Sequence, residues 1–269
     1  MSALARGILD RYKTARILVK GGASLRGIML YPLRHRLPAP RHQIDLKRGL
    51  SIVSPMEEPL VHTFEDIWLN QCFTPHGFEV KPGDTVVDIG ANLGVFSVWA
   101  ATRAQGVRVI SLEPSSRMFR LLIQNLSRNG LGQVVAVQAA CGGETGTAVL
   151  YSYGLEEGSS LRPRNIRGKV FRPQDRVDVL TLDDIFRRHQ VEVCNLLKLN
   201  CEGGEYEILL KAPKETLRRV RKISMVYHLG LHNYCPDQIV AGLRQHGFEV
   251  NHTPPYDELG GYLYAKRQV

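Results

Sequence analysis

The sequence predicts an α/β protein: a mostly parallel seven-stranded sheet flanked by helices, closed by an antiparallel terminal hairpin and preceded by an N-terminal helical arm. Three observations predict it. From Gly83 onward, short apolar runs alternate with helical patterns, the mark of strands joined by crossover helices. The last two runs, 248–251 and 262–265, have only the turn-rich TPPYDELGG between them, which fits a hairpin. The chain's 269 residues, 43% hydrophobic and 23% charged, can bury a full core and exclude disorder as the main state.

In the arm, Leu4, Ile8, Leu9, Tyr12 and Ala15 recur near the helical period until Gly21-Gly22 stops the pattern. Two alternating stretches within 43–55, around Arg48-Gly49, predict a hairpin, and 57–73 reads helical. Strands follow at 85–89, 107–112 and 134–138, with helices at 95–103 and 115–129 between and before them. After an irregular insert, 142–176, come an apolar run at 177–180, a helix from Asp183 and a strand at 196–200. A helix from Gly204, a strand at 223–227 and a helix at 236–245 lead into the hairpin. The expected division is a basic arm, 1–48, and one domain, 49–269.

Residues 1–48 hold 11 Lys and Arg against Asp10 and Asp45, and the rest of the chain holds 24 of each sign. The net charge of +9 therefore belongs to the arm. A neutral body disfavours a nucleic-acid partner, while the arm can meet an anionic membrane surface, pack on the body or serve a homo-oligomer contact. No apolar run approaches the roughly 18 residues of a membrane span, and MSALARGILDRYK lacks a continuous apolar signal region. A cytoplasmic location, with surface membrane association through the arm, is expected. The five cysteines are irregularly spaced without a CxxC pair, so they read as small buried hydrophobes.

The loop after the first strand of the alternating region carries the chemistry. In DTVVDIGANLG, Gly90 can take positive φ and let a ligand approach, Asn92 tolerates the left-handed region, and Gly94 permits tight helix packing. The G-x-G-x-x-G spacing of a nicotinamide-dependent oxidoreductase is absent. Asp88 at the strand end repels a pyrophosphate but suits a ligand with an amino group and a sulfonium, such as S-adenosylmethionine. Glu113, 23 residues beyond Gly90, stands where an acid accepts from ribose hydroxyls. Ala140 and Cys141, ending the third strand, stand where an adenine would lie.

VVDIGANLGVFS, SLEPSSRMFRLLIQNLSRNG, VDVLTLDDI and LLKLNCEGGEYEIL, in that order over roughly residues 60–230, together resemble the FkbM-type methyltransferase family. The resemblance implies the class I methyltransferase Rossmann-like fold and S-adenosylmethionine-dependent O-methylation. The acceptor it implies is a small molecule or glycoconjugate with a free hydroxyl, commonly on a sugar of a glycoside, glycolipid, polysaccharide or polyketide-type product. In the family's K-I-D-V-E-G-A-E motif the aspartate is Asn200 here, and the following Val and Ala are Cys201 and Gly204. The family pattern also points to Ser160 near the substrate, although Gly-Ser-Ser is ordinary loop composition.

Methyl transfer to a neutral hydroxyl needs alignment and a base. His228, directly after the 223–227 strand, titrates near neutrality and is the preferred base; its alternative is a structural hydrogen bond. Asn200 can orient the acceptor but cannot ionise. Glu202 can act as a second base or cap the following helix, and Glu205 reads as serving the helix start. His232 completes an H-x-x-x-H with His228 and reads as substrate-facing. That pair offers a metal reading, weakened by Gly230 between the two histidines and by the missing carboxylate at Asn200, so a divalent metal is not expected to be essential. A module that binds the donor without catalysis remains an alternative.

Overall fold

The computed structural model describes residues 13–25, 28, 41–55, 60–152, 159–163, 165–166, 169–230, 234–255 and 260–267. A helix over 13–20 stops at Gly21-Gly22 as the pattern requires; Leu4, Ile8, Leu9 and Tyr12 lie outside the described residues. β1 (Arg41–Asp45) and β2 (Ser51–Pro55) form the expected hairpin, with Ile44 opposite Ile52. Leu18, Ala23, Ile44 and Leu46 are buried in one cluster with Val86 and Trp99. Lys47 N donates to the Gly22 carbonyl at 2.9 Å and Ser24 N to that of Asp45 at 2.6 Å. Those two bonds fall within residues 1–48, while the β1–β2 pairing and the shared apolar cluster run across residue 48.

α1 (Leu60–Phe64) continues as a π-helical turn, Glu65–Leu69. It stops short of the expected 73 because Gln71 has a φ of 50° and Pro75 follows, which biases the chain away from helix. β3 (Thr85–Ile89), α2 (Val95–Arg103), β4 (Arg108–Leu112), α3 (Ser116–Arg128) and β5 (Val135–Val137) then follow the sequence reading closely. The next strands are β6 (Ala140–Cys141), β7 (Gly146–Ser152), β8 (Asn165–Ile166), β9 (Lys169–Val170) and β10 (Arg172–Leu180). α4 (Leu182–Arg188) opens with a capping box in which Thr181 and Asp184 satisfy each other's backbone N–H groups, explaining the TLDD segment. β11 (Leu196–Leu199), α5 (Glu205–Leu210), α6 (Lys214–Arg218), β12 (Lys222–His228), α7 (Pro236–Gln245), β13 (Phe248–His252) and β14 (Gly260–Arg267) complete the order.

The main sheet has seven strands in the order β13-β14-β12-β11-β3-β4-β5, and β14 alone runs against the others. Successive residues of each strand point to opposite faces. Val87, Leu197 and Met225 meet Phe186, Ile208 and Leu243 on one face. Val86, Val109 and Leu196 meet Val98, Leu122 and the hairpin's Ile52 on the other. The segment read as an irregular insert instead builds a second sheet, β6-β10-β7. There β10 pairs antiparallel with β7 and parallel with β6, so the 177–180 run belongs to this sheet and not to the main one.

The chain leaves β3 toward β4 and β5, then returns on the other side of β3 through β11 and β12. The carboxyl ends of β3 and β11 therefore part at a switch point, where open α/β sheets form their binding crevice.

Candidate active site

The switch point fixes the glycine loop. Gly90 (φ 75°), Asn92 (φ 52°) and Gly94 (φ 89°) all lie in the left-handed region. A Cβ on Gly90 would stand 2.0 Å from the Asn200 carbonyl oxygen, so the close approach at Gly90 is made by the loop after β11. A Cβ on Gly94 would meet Leu122 Cδ1 at 2.6 Å, the tight helix packing the sequence required.

Glu113, at the end of β4, accepts from Asn92 N at 2.8 Å and Ser115 N at 2.9 Å. Burial pushes its pKa up to about 7, against the pull of those two N–H groups and of Lys198. Beside it opens a cleft of about 230 Å³ bordered by Gly90, Asn92, Met118, Ala140, Cys141, Leu150 and Leu161. Ala140 and Cys141 border this cleft, but from β6 of the second sheet and not from the end of the third main-sheet strand. Met118, Leu150 and Leu161 were missed: the last two come from the unforeseen second sheet and the loop beside it. Asp88 does not border the cleft. It is fully buried, accepts from Ser97 Oγ at 2.7 Å and pairs with Lys198 Nζ at 2.8 Å, so its carboxylate faces the interior and not a ligand.

A second cavity, of about 290 Å³, shares Gly90, Asn92, Asn200 and Glu202 with the first and extends to Phe73, Phe96, Lys198, Val226, His228 and Tyr262. Three of the expected catalytic groups therefore meet here, because β11 and β12 are neighbours and release them at the same edge. Glu202 has a φ of 54°. Ser160 Oγ donates to its carbonyl at 2.9 Å, so Ser160, itself buried, holds the Glu202 backbone and borders neither cavity. His232 lies outside the described residues. Among the described residues, no group of three His, Cys, Asp or Glu side chains is arranged to hold a metal ion.

His228 lies between two carboxylates, Nδ1 3.0 Å from Glu205 Oε1 and Nε2 3.6 Å from Glu202 Oε2. Glu205 is fully buried and also accepts from Cys201 N at 2.8 Å and Gly203 N at 2.9 Å. It serves the loop ahead of its helix, as expected, and holds the imidazole as well. The clue to the second role is the Glu-x-x-Glu spacing after one strand with a histidine ending the next. Burial alone would lower the His228 pKa; the charges of Glu205 and Glu202 outweigh it and raise the pKa to about 10. Burial works against the Glu205 carboxylate too, yet the imidazolium and the backbone N–H groups of Glu205 and Cys201 hold its pKa below the usual value. At neutral pH the imidazole is already protonated, which runs against the expectation that it takes a proton from the acceptor.

A parallel sheet of this order, with a strand-end acid beside the cleft and an antiparallel last hairpin, defines a class I Rossmann-like methyltransferase. The model of the methyltransferase FkbM domain matches residues 88–250, more than half the chain, and the protein belongs to that family. It is 27% identical over 218 residues to the 31-O-demethyl-FK506 methyltransferase FkbM of Streptomyces tacrolimicus, covering 70% of this chain and 81% of the relative. It is 26% identical over 244 residues to the AMB antimetabolite synthetase AmbE of Pseudomonas aeruginosa, covering 78% of this chain but spanning only 12% of that protein. Among solved structures, the methyltransferase FkbM of Methylobacillus flagellatus matches with 14% identity and a TM-score of 0.46, over 97% of this chain and 60% of its own.

The family implies S-adenosylmethionine as methyl donor. The residues fit such a ligand: the Glu113 carboxylate borders the cleft with its two backbone donors already engaged, and the apolar Ala140, Cys141 and Leu150 line the same cleft. Among the described residues, no helix is long and apolar enough to cross a membrane.

Proposed function

We propose that this protein is an S-adenosylmethionine-dependent O-methyltransferase acting on a hydroxyl of a sugar-bearing or natural-product acceptor. The observation that carries this reading is the joining of two cavities at Gly90, Asn92, Asn200 and Glu202, with His228 and Glu205 behind the junction. Glu113, the Gly90 loop, Ala140 and Cys141 would hold the donor, which supplies an electrophilic methyl on a sulfonium. The second cavity receives the acceptor. The Streptomyces relative is named as a 31-O-demethyl-FK506 methyltransferase, which supports an oxygen acceptor here.

Asn200 donates to the acceptor hydroxyl and turns a lone pair toward the junction. The Glu202 carboxylate would take the hydroxyl proton as the methyl passes from the donor's sulfur to the oxygen, the donor leaving as a neutral thioether. His228, held protonated by Glu205, fixes Glu202 by charge and offsets the carboxylate charges around it. The deciding experiment incubates the protein with methyl-labelled donor and a panel of neutral glycosides and alicyclic alcohols, followed by mass spectrometry. A methyl gain on oxygen is expected. Tight donor binding by calorimetry with no methyl gain on any acceptor supports a binding module instead, and absence of donor binding removes the reading altogether.

A further inference from the structure

Lys198 is a lysine in the middle of an apolar strand, only 3% exposed, and the reaction above makes no use of it. The register explains its burial. Lys198 of β11 lies directly opposite Asp88 of β3, which lies opposite Ser111 of β4. Side chains in one register row share a sheet face, so these three form a polar row under α2. Ser111 Oγ donates to Ser97 Oγ at 2.8 Å, and Ser97 Oγ donates to Asp88 Oδ2 at 2.7 Å. Asp88 Oδ1 lies 2.8 Å from Lys198 Nζ. The row ends on the glycine loop: Lys198 Nζ donates to the Gly90 carbonyl at 2.8 Å. The ammonium also lies 5.2 Å from the Phe73 ring centroid and 5.9 Å from that of Phe96, close enough for a cation–π attraction that fixes it from the open side.

Gly90 N donates to the Leu112 carbonyl at 3.1 Å and Ala91 N to the same oxygen at 2.9 Å. With its carbonyl on Lys198, the Gly90 peptide is bonded at both ends before any ligand arrives. At this position φ is positive and the residue is glycine, so the backbone alone allows several peptide orientations; Lys198 selects one. We infer that Lys198 is the positioning residue of the donor loop: it sets the Gly90 peptide plane, and Asp88 serves to hold Lys198 in place. The role rests on reading the first cavity as the donor site. It accounts for an aspartate at this strand end that does not face the cleft, and for a buried lysine at the border of the second cavity.

A buried ion pair broken on one side leaves the other charge uncompensated and destabilises the fold, so loss of affinity in Lys198→Met alone would not separate positioning from stability. The test therefore uses four proteins: wild type, Lys198→Met, the paired Asp88→Asn/Lys198→Met, and Ser97→Ala. Each is measured for thermal midpoint and for S-adenosylhomocysteine affinity by calorimetry well below that midpoint. Ser97→Ala removes a partner of Asp88 without touching the lysine, so it lowers the midpoint and leaves affinity within about twofold of wild type. Lys198→Met loses both. The paired variant, with no buried charge left unmatched, recovers most of the midpoint while its affinity stays at least tenfold weaker than wild type. Recovery of affinity together with the midpoint, or unchanged affinity in folded Lys198→Met, overturns the inference and leaves the donor reading standing. A wild-type protein that does not bind S-adenosylhomocysteine sinks the donor reading, and the inference with it.

Discussion

Glu113 and His228 are two site residues whose surroundings move them far from ordinary behaviour, and in both the departure can be tested through pH. Burial raises the Glu113 pKa to about 7, and ribose hydroxyls bind best to its ionised form. Donor binding therefore lowers that pKa, so S-adenosylhomocysteine affinity should rise as pH climbs from 6 through about 7 and then level off. Glu113→Gln should flatten this dependence, and Glu113→Ala should weaken binding by about 1 to 3 kcal/mol. Calorimetry at several pH values checks both; a pH-independent wild type removes Glu113 from the ribose. For His228, a pKa raised to about 10 means that the imidazolium persists through the neutral range. With Glu202 as proton acceptor, kcat should hold across neutral pH and fall as pH passes about 10. His228→Ala should lose about a hundredfold or more in kcat with donor affinity near wild type. A kcat that climbs steadily from pH 7 to 10 would return the base role to His228. The strand-end rule brought Asn200, Glu202 and His228 together from sequence alone. It could not reveal the protonation of His228, which depends on Glu205 reaching back from inside a helix, nor the inward turn of Asp88, which depends on cross-strand register with Lys198.

At the scale of elements, the main sheet was legible because its strands are short apolar runs separated by helices with clear starts, as with Ser115 accepting from Met118 N at the head of α3. The second sheet was not. β7 is exposed at its first two residues and mostly half-buried beyond them, and β10 opens on the charged, exposed Arg172–Arg176 stretch, so neither alternates clearly along its length. Their pairing is with each other and with β6, a contact no local pattern encodes. The loop between β3 and α2 was legible as a glycine requirement but not in its cause. Both glycines share the left-handed strain an added Cβ brings, about 1 to 2 kcal/mol, but their neighbours differ. At Gly90 the added carbon would meet the backbone oxygen of Asn200 at 2.0 Å, whereas at Gly94 it meets the end of the Leu122 side chain at 2.6 Å. Gly90→Ala should lower the thermal midpoint more than Gly94→Ala and should also weaken S-adenosylhomocysteine binding, because the β11 loop must move. The opposite ranking in paired melts would show that this crossing is not the tight point of the fold.

For the whole molecule, the open matter is how one end can be both part of the body and the seat of all its excess charge. The described part of the arm resolves it by face. Leu18 is 1% exposed and packs with Ile44, Ile52 and Phe64, while Lys13, Arg16 and Lys20 on the same short helix are exposed, beside Val19 at 58% and Leu25 at 74%. One face therefore fastens the arm to the sheet and the other leaves its charge to solvent. Leu18→Ala should behave as a core truncation, costing about 2 to 5 kcal/mol of stability. Replacing Lys13, Arg16 and Lys20 together by Gln should leave the thermal midpoint nearly unchanged, since exposed charges contribute little. If the charged face meets an anionic membrane, each basic residue near the surface adds about 1 kcal/mol, screened by salt. Co-sedimentation with phosphatidylserine-containing vesicles at low ionic strength should then fall sharply in the triple variant and persist in folded Leu18→Ala. Wild-type protein that stays in the supernatant at low salt would leave the arm with the packing role alone, and a triple variant that binds as well as wild type would place the attraction outside this helix.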